Sequence, residues 1–177
     1  MSFVLETERL GFQRITRGDL PWLIEMRSPE PVNRYLGGTK LQNPEALAKR
    51  IEFYIECYEK GLGQCITVLK GTGERMGTSG LQPLEDTGEI EVGYNFSEKF
   101  WGRGFGTETC MGWLRHGFSD LGLERIVAVA VPENTGSWRI MEKCGMRYEK
   151  TEPHYGIDCV FYAISRNEFE TRWPIDM

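Results

Sequence analysis

At 177 residues the chain suits one domain, spanning residues 1–177, with a core of its own, and 40% hydrophobic and 27% charged residues is an ordinary soluble composition. A net charge of −5 disfavours bulk binding to nucleic acid, and no apolar run is long enough to span a bilayer. Five scattered cysteines without a CxxC pair argue against a disulfide framework and against a zinc site. The opening Met1-Ser2-Phe3-Val4-Leu5-Glu6 has no basic segment before an apolar core, so the expectation is a cytoplasmic chain without a signal peptide.

Residues 9–15 read as a first strand. Asp19 reads as a helix cap, with Leu20, Leu23, Ile24 and Arg27 following at helical spacing. Asn43-Pro44-Glu45 starts a second helix, whose face is marked by Leu47, Ile51, Tyr54 and Tyr58 and which Gly61 stops. Strands at 65–70 and 75–81 flank Gly71-Thr72-Gly73-Glu74, a hairpin turn. Residues 89–96 alternate: Ile90, Val92, Tyr94 and Phe96 share one face, and Glu89, Glu91, Gly93 and Asn95 the other. Thr107, Met111, Leu114, Phe118 and Leu121 then step by four and three, a helix ending near Gly122.

The apolar run 126–131, stopped by Pro132, reads as a strand buried on both faces. A short helix follows at 135–144, terminated by Gly145, and residues 146–166 form a closing strand pair. The order β-α-α-β-β-β-α-β-α-β-β is an α/β mixture of the α+β type with one central strand–helix–strand crossover.

Between a strand and a helix lies Trp101-Gly102-Arg103-Gly104-Phe105-Gly106-Thr107. Alternating glycines let backbone N–H groups converge at the positive end of the helix, an anion cradle suited to pyrophosphate. It lacks the Gly-Lys-Ser/Thr of a P-loop and does not fit GxGxxG. A nicotinamide-dependent oxidoreductase stays open at this point, because Glu133 follows the next strand where a ribose-binding acid would stand.

The stretch from Glu91-Val92-Gly93-Tyr94 through Gly106 resembles the acetyl-CoA-binding core of the RimJ/RimL-like branch of GNAT superfamily N-acetyltransferases. Glu6-Thr7-Glu8-Arg9-Leu10 before it, and Asn134-Thr135-Gly136-Ser137 and Asp158-Cys159-Val160-Phe161-Tyr162-Ala163-Ile164 after it, match the same family in the same order. The resemblance implies the GNAT fold: a mixed, mostly antiparallel sheet with two splayed central parallel strands (here 89–96 and 126–131), flanked by helices. Acetyl-CoA would lie in the V, with no metal. By resemblance, the N–H groups of Arg103, Gly104, Phe105, Gly106 and Thr107 hold the pyrophosphate. The backbone at residues 95–97 takes the pantetheine, an N–H near Asn95 or Phe96 polarises the thioester, and Asn134 bonds the cofactor arm. Asn134 also reads as a plain helix N-cap.

Glu91 is the candidate base, acting through water, with Glu89 as competitor and a solvated strand face as the bland reading of both. Many GNAT enzymes carry a tyrosine where this chain has Met141. RimJ/RimL-like members instead resemble this chain in a serine three residues after the asparagine, so the resemblance implies Ser137 for the departing thiolate, unless it is an ordinary first-turn serine. His116 reads as a surface or packing residue, and Cys110 and Cys144 as unreactive. His154 reads as a solvated loop histidine or, since that loop borders the acceptor site in the family, a residue of that site. Arg139 and Lys143 either meet the 3′-phosphate or form an exposed charged helix face. The implied partner is a primary amine, either a protein N-terminal α-amine or a small molecule, with residues 32–38 and 149–158 as its determinants. A homodimer is one assembly open to the chain, since Trp173 would pack on a partner or on its own domain. A non-catalytic acyl-CoA-binding module is the alternative that Met141 motivates.

Overall fold

The computed structural model describes residues 2–175. Strands β1 (Leu5–Glu6) and β2 (Leu10–Arg14) open the chain, followed by helices α1 (Leu20–Arg27), α2 (Glu30–Asn33), α3 (Gly38–Leu41) and α4 (Pro44–Cys57). Strands β3 (Gly63–Leu69), β4 (Glu74–Pro83) and β5 (Ile90–Phe96) lead into α5 (Phe105–Ser119), β6 (Arg125–Ala130) and α6 (Thr135–Lys143). The chain closes with β7 (Arg147–His154), β8 (Ile157–Ser165) and α7 (Arg166–Arg172). The eight strands lie in one sheet in the order β1-β2-β3-β4-β5-β6-β8-β7. Every pairing is antiparallel except β5 with β6, which run parallel. This is the mixed, mostly antiparallel sheet with a central parallel pair that the sequence implies. It is not the parallel sheet on which a doubly wound dinucleotide fold is built.

Alternation along the strands sends side chains to two large cores and a small third cluster of Leu84, Val127, Phe161 and Ala163. Ile15, Ile66 and Val68 meet Leu23 of α1 and Leu47, Ile51 and Tyr54 of α4 on one face. Leu10, Phe12, Trp113 and Phe118 of α5, and Phe169 of α7 build the other. Asn43 caps α4 as expected, its side chain accepting from the Ala46 N–H at 2.9 Å. Tyr58 leaves that helix for a 3₁₀ turn, where its hydroxyl accepts from the Ile15 N–H (2.8 Å) and donates to the Gln64 carbonyl (2.6 Å).

One reading of the sequence needs correction, and three short helices add to it. Asp19 does not reach forward into α1; its carboxylate accepts from the Thr16 N–H (2.8 Å) and hydroxyl (3.0 Å), closing the 3₁₀ turn before the helix. The single-turn helices α2 and α3 are too short to display a helical period. Helix α7 was likewise unread, although its Ser165/Glu168 capping box was present. Trp173 packs on its own domain, 5.3 Å from the Phe169 ring.

Trp113 fastens α5 to the sheet. It is 2% exposed, stacks edge-on to Phe12 at 5.1 Å and donates from Nε1 to the Ser79 hydroxyl at 2.9 Å. Trp113→Ala is expected to destabilise the protein by about 3–5 kcal/mol, measured by urea unfolding; a loss under ~1 kcal/mol would mean that α5 is held elsewhere.

Candidate functional site

The parallel strands β5 and β6 pair at a single register position, Glu91↔Val127. Each stays locked to its outer neighbour: β5 to β4 as far as Gly77↔Phe96, and β6 to β8 as far as Ala130↔Val160. Past Glu91 the two strands therefore part, and two hollows open at their carboxyl ends, where such sheets bind ligands. The larger is a cleft of ≈ 490 Å³, the smaller a pocket of ≈ 140 Å³. Tyr94, Asn95, Asn134 and Ser137 line both.

One wall of the cleft is the glycine cradle. Gly102 and Gly104 have φ of +70° and +80°, a region that side-chain-bearing residues rarely adopt, and α5 begins at the next residue, Phe105. The first N–H groups of that helix have no intrahelical partner and point out of its end. Gly106 serves packing as well, because a Cβ there would lie 2.4 Å from Ile140 Cδ1 of α6. Arg103, Phe105, Gly106 and Thr107 thus stand together as the sequence implies, with Phe105, Gly106 and Thr107 lining the cleft beside Phe96.

The N-terminal segment braces this loop. Arg9 donates from NH1 to the Arg103 carbonyl (3.2 Å), pairs through Nε with Glu108 (2.6 Å), and lies 4.3 Å above the Phe105 ring. Glu108 also accepts from the Thr7 hydroxyl (2.6 Å) and the Arg9 N–H (2.8 Å). Burial pushes Glu108 up, but these bonds outweigh it and hold its carboxyl below the usual carboxylate range. Thr7 and Arg9 thereby acquire a physical role, the fixing of the cradle.

On the opposite wall stands α6. Asn134 occupies its N-cap position but makes no side-chain cap bond, so the plain capping reading fails; its side chain borders both hollows. The Ser137 carbonyl accepts from the Tyr94 hydroxyl at 2.9 Å. Arg139 and Lys143 line the larger cleft, as does Glu133. Burial drives the Tyr94 hydroxyl far above its ordinary pKa, so it keeps its proton. Tyr94 shares the Ile90, Val92 and Phe96 face of the strand, yet it borders both hollows.

Glu91 is 4% exposed and lines the small pocket. Its Oε1 accepts from Gln82 Nε2 at 2.6 Å and, in a very short bond, from the Tyr155 hydroxyl. Burial raises the Glu91 pKa against the opposing pull of these bonds and of Arg50 and His154. This is no solvated strand face. Glu89, its competitor, precedes the strand and is taken up by Arg125 at 3.1 Å, outside both hollows.

His154 is another correction. It ends β7 rather than lying in a loop, is 4% exposed, and sits 2.9 Å from both Glu85 and Glu152. Glu85 also accepts from the Tyr155 N–H at 3.1 Å, pinning the turn that delivers Tyr155 to Glu91. His116 packs against Trp113 and bonds Asp120 at 2.6 Å, as expected of a packing residue. Cys110 and Cys144 are buried, and the Cys110 thiol is raised well above its ordinary range by Cys144 and by burial, which keeps it unreactive. Met141 is 1% exposed against the small pocket. Arg27, Arg50, Tyr54, Gln82 and Tyr155 also line that pocket; no sequence motif marked them. Among the described residues there is no group of three potential ligands for a metal, and no helix is long and apolar enough to cross a membrane.

Comparison with known proteins agrees with this geometry. The family profile described as "Acetyltransferase (GNAT) domain" matches residues 9–147. The uncharacterized N-acetyltransferase YoaA of Bacillus subtilis (strain 168) is 31% identical over 148 residues, 82% of this chain and 84% of that protein. A GNAT-family acetyltransferase structure from Bacillus anthracis is 27% identical, with a TM-score of 0.76 over 92% of this chain and 98% of the other. The fold is shared, at 19% identity and a TM-score of 0.72 over 90% and 83% of the two chains, with Mycobacterium smegmatis RimJ in complex with CoA-disulfide.

If the Arg9–Glu108 brace fixes the cradle, Arg9→Ala should speed amide hydrogen exchange at residues 102–107 several-fold, in keeping with the ~1 kcal/mol of a half-exposed pair. Exchange in β3 and β4 should not change. Unaltered exchange in the cradle would show that the glycines hold their shape without the brace.

Proposed function

The chain belongs to the GNAT acetyltransferase family, an acyl-CoA-dependent group of enzymes, and from that premise we propose that it acetylates a primary amine. The nucleotide takes the larger cleft and the amine the smaller pocket. One observation carries this reading: the two hollows meet at Tyr94, Asn95, Asn134 and Ser137, so ligands entering from either side come together there.

The residues present fit the cosubstrate. The N–H groups of Arg103, Gly104, Phe105, Gly106 and Thr107, at a helix N-terminus preceded by glycines of positive φ, suit a pyrophosphate. Arg139 and Lys143, on the same cleft, suit a 3′-phosphate. Asn134, freed from capping, is assigned to the amides of the cofactor arm together with the backbone of Asn95 and Phe96. When bound, acetyl-CoA supplies an activated thioester.

The chain supplies the proton chemistry. Glu91 is assigned as the base: its Oε1 is held by Gln82 and Tyr155, leaving Oε2 for a substrate proton. Strand β5 acts as a ruler here, since Glu91 and Asn95 are four residues apart, roughly 13 Å at ~3.3 Å per residue. That span calls for water between carboxylate and amine; the space over Gly93, between them on the same face, is taken by the Gln64 side-chain amide, which lies 2.6 Å from where a Cβ would stand. Ser137 is assigned to the departing thiolate. Tyr94 positions it by bonding its carbonyl. The acceptor is an amine of a small molecule or of a protein N-terminus.

The test is acetyl-dependent thiol release against a panel of amines, in wild type and in Glu91→Gln. The variant should lower kcat by about 10²–10⁴-fold, the usual worth of a positioned base, with affinity for acetyl-CoA unchanged. The deficit should shrink as pH rises, because a larger share of the amine is then already deprotonated. In wild type, kcat should fall as pH drops through a value above the usual carboxylate range, where the buried Glu91 takes up its proton. An equal loss of acetyl-CoA binding in the variant would contradict the assignment.

A further inference from the structure

The small pocket is unusual in the polar atoms that it leaves unpaired. Among the described residues, six buried side-chain polar atoms lack a hydrogen-bond partner, and five of them, Arg27 Nε, Tyr54 Oη, Gln64 Oε1, Gln82 Oε1 and Asn95 Oδ1, belong to residues lining this pocket. Folded proteins pair the large majority of such atoms. Their concentration in one place marks a polar ligand site.

The charges in the pocket specify the ligand further. Arg27 is 2% exposed, and its guanidinium bonds neutral groups, the Gln42 side-chain oxygen (3.1 Å) and the Thr78 hydroxyl (2.9 Å). Arg50, half-buried on α4, lies 5.9 Å from the Tyr155 ring. Among the described residues neither arginine forms an ion pair within 4 Å, and Arg50 adds its like charge to the burial that already disfavours the charged form of Arg27; for Arg50 itself burial is outweighed by Tyr54, Tyr155 and Glu91, which keep it charged. The one carboxylate lining the pocket, Glu91, is engaged by Gln82 and Tyr155. A buried cation without an anion is costly. Arg27 and Arg50 are absent from the lining of the larger cleft, so the phosphates of a nucleotide there are not the missing counter-ion.

Resting on the acetyl-transfer reading above, we infer that the acceptor is a small amine that carries its own carboxylate, an amino-acid-like molecule whose anionic end is received by Arg50 over the buried charge of Arg27. Its amine end faces Glu91. A pocket of ≈ 140 Å³ matches that size, below the roughly 300 Å³ at which pockets begin to take drug-sized ligands. A protein N-terminus has its first carboxyl tied up in a peptide bond and brings no anion to the buried charge of Arg27.

The test is calorimetric binding, with and without CoA, of the proteinogenic amino acids, each paired with its carboxamide, so that it does not depend on turnover. At least one amino acid should bind about tenfold or more tightly than its carboxamide, the range of a charge-assisted hydrogen bond. Arg50→Gln should erase that gap while acetyl-CoA affinity stays, and Arg50→Lys should keep part of it. Equal binding within every pair, no binding by any amino acid, tighter binding of an N-terminal peptide, or a gap that survives in Arg50→Gln would each overturn the inference. An amino acid that binds with this preference but is never acetylated would support the inference and contradict the acetyl-transfer reading.

Discussion

Two parallel strands that touch at one residue pair set the terms for the rest of this molecule. Strand β4 holds β5 along its whole length, and β8 holds β6 in the same way, so neither strand is free to follow the other beyond Glu91↔Val127. The backbone N–H and C=O groups on the facing edges past that point have no partners in the sheet, and a buried backbone group without a partner is unfavourable. A ligand arm with amide groups answers that need better than packed side chains would. The cradle on α5 and the open N-cap of α6 then stand on either side of the gap, held there by Trp113 in the core and Gly106 against Ile140.

The same parting explains where the polar strain collects. Polar side chains on the inner faces of β3, β4 and β5 (Gln64, Gln82, Glu91 and Asn95) point into a volume that no helix fills. In a core they would be replaced by aliphatic residues. Natural sequences break such local rules chiefly where function demands it. Burial raises the Glu91 pKa and the charge of Arg50 opposes it, so the electrostatics of acceptor and base belong to one system rather than two.

Periodicity and turn chemistry made most of the scaffold legible. Asn43-Pro44, the alternation of residues 89–96, the run stopped by Pro132 and the glycines at 102–106 each have a local physical cause, and each stands where the sequence placed it. Glu91 could be picked from its place opposite Val92 and Tyr94 on the strand, but its burial could not, because the residues that enclose it come from α4, β4 and the β7–β8 turn. The burial of His154 is hidden for the same reason: a histidine in a Pro-His-Tyr-Gly string reads as solvated until Glu85, some seventy residues away, is brought beside it. Arg27 looked like one more polar residue on an amphipathic helix; only the tertiary fold puts Thr78 and Gln42 against it. What escaped the sequence is long-range: the pairings that turn ordinary residues into an enclosed pocket.

Acetyl transfer requires the cradle to be a CoA site, and isothermal titration with acetyl-CoA, and separately with NAD(H), tests that directly. Acetyl-CoA should bind the wild-type protein and lose that binding in Gly104→Val, because residue 104 has a φ of +80° that valine does not tolerate and because its neighbours supply the N–H donors. NAD(H) should bind neither protein. Binding of NAD(H) alone, or acetyl-CoA affinity that survives the valine unchanged, would contradict the account.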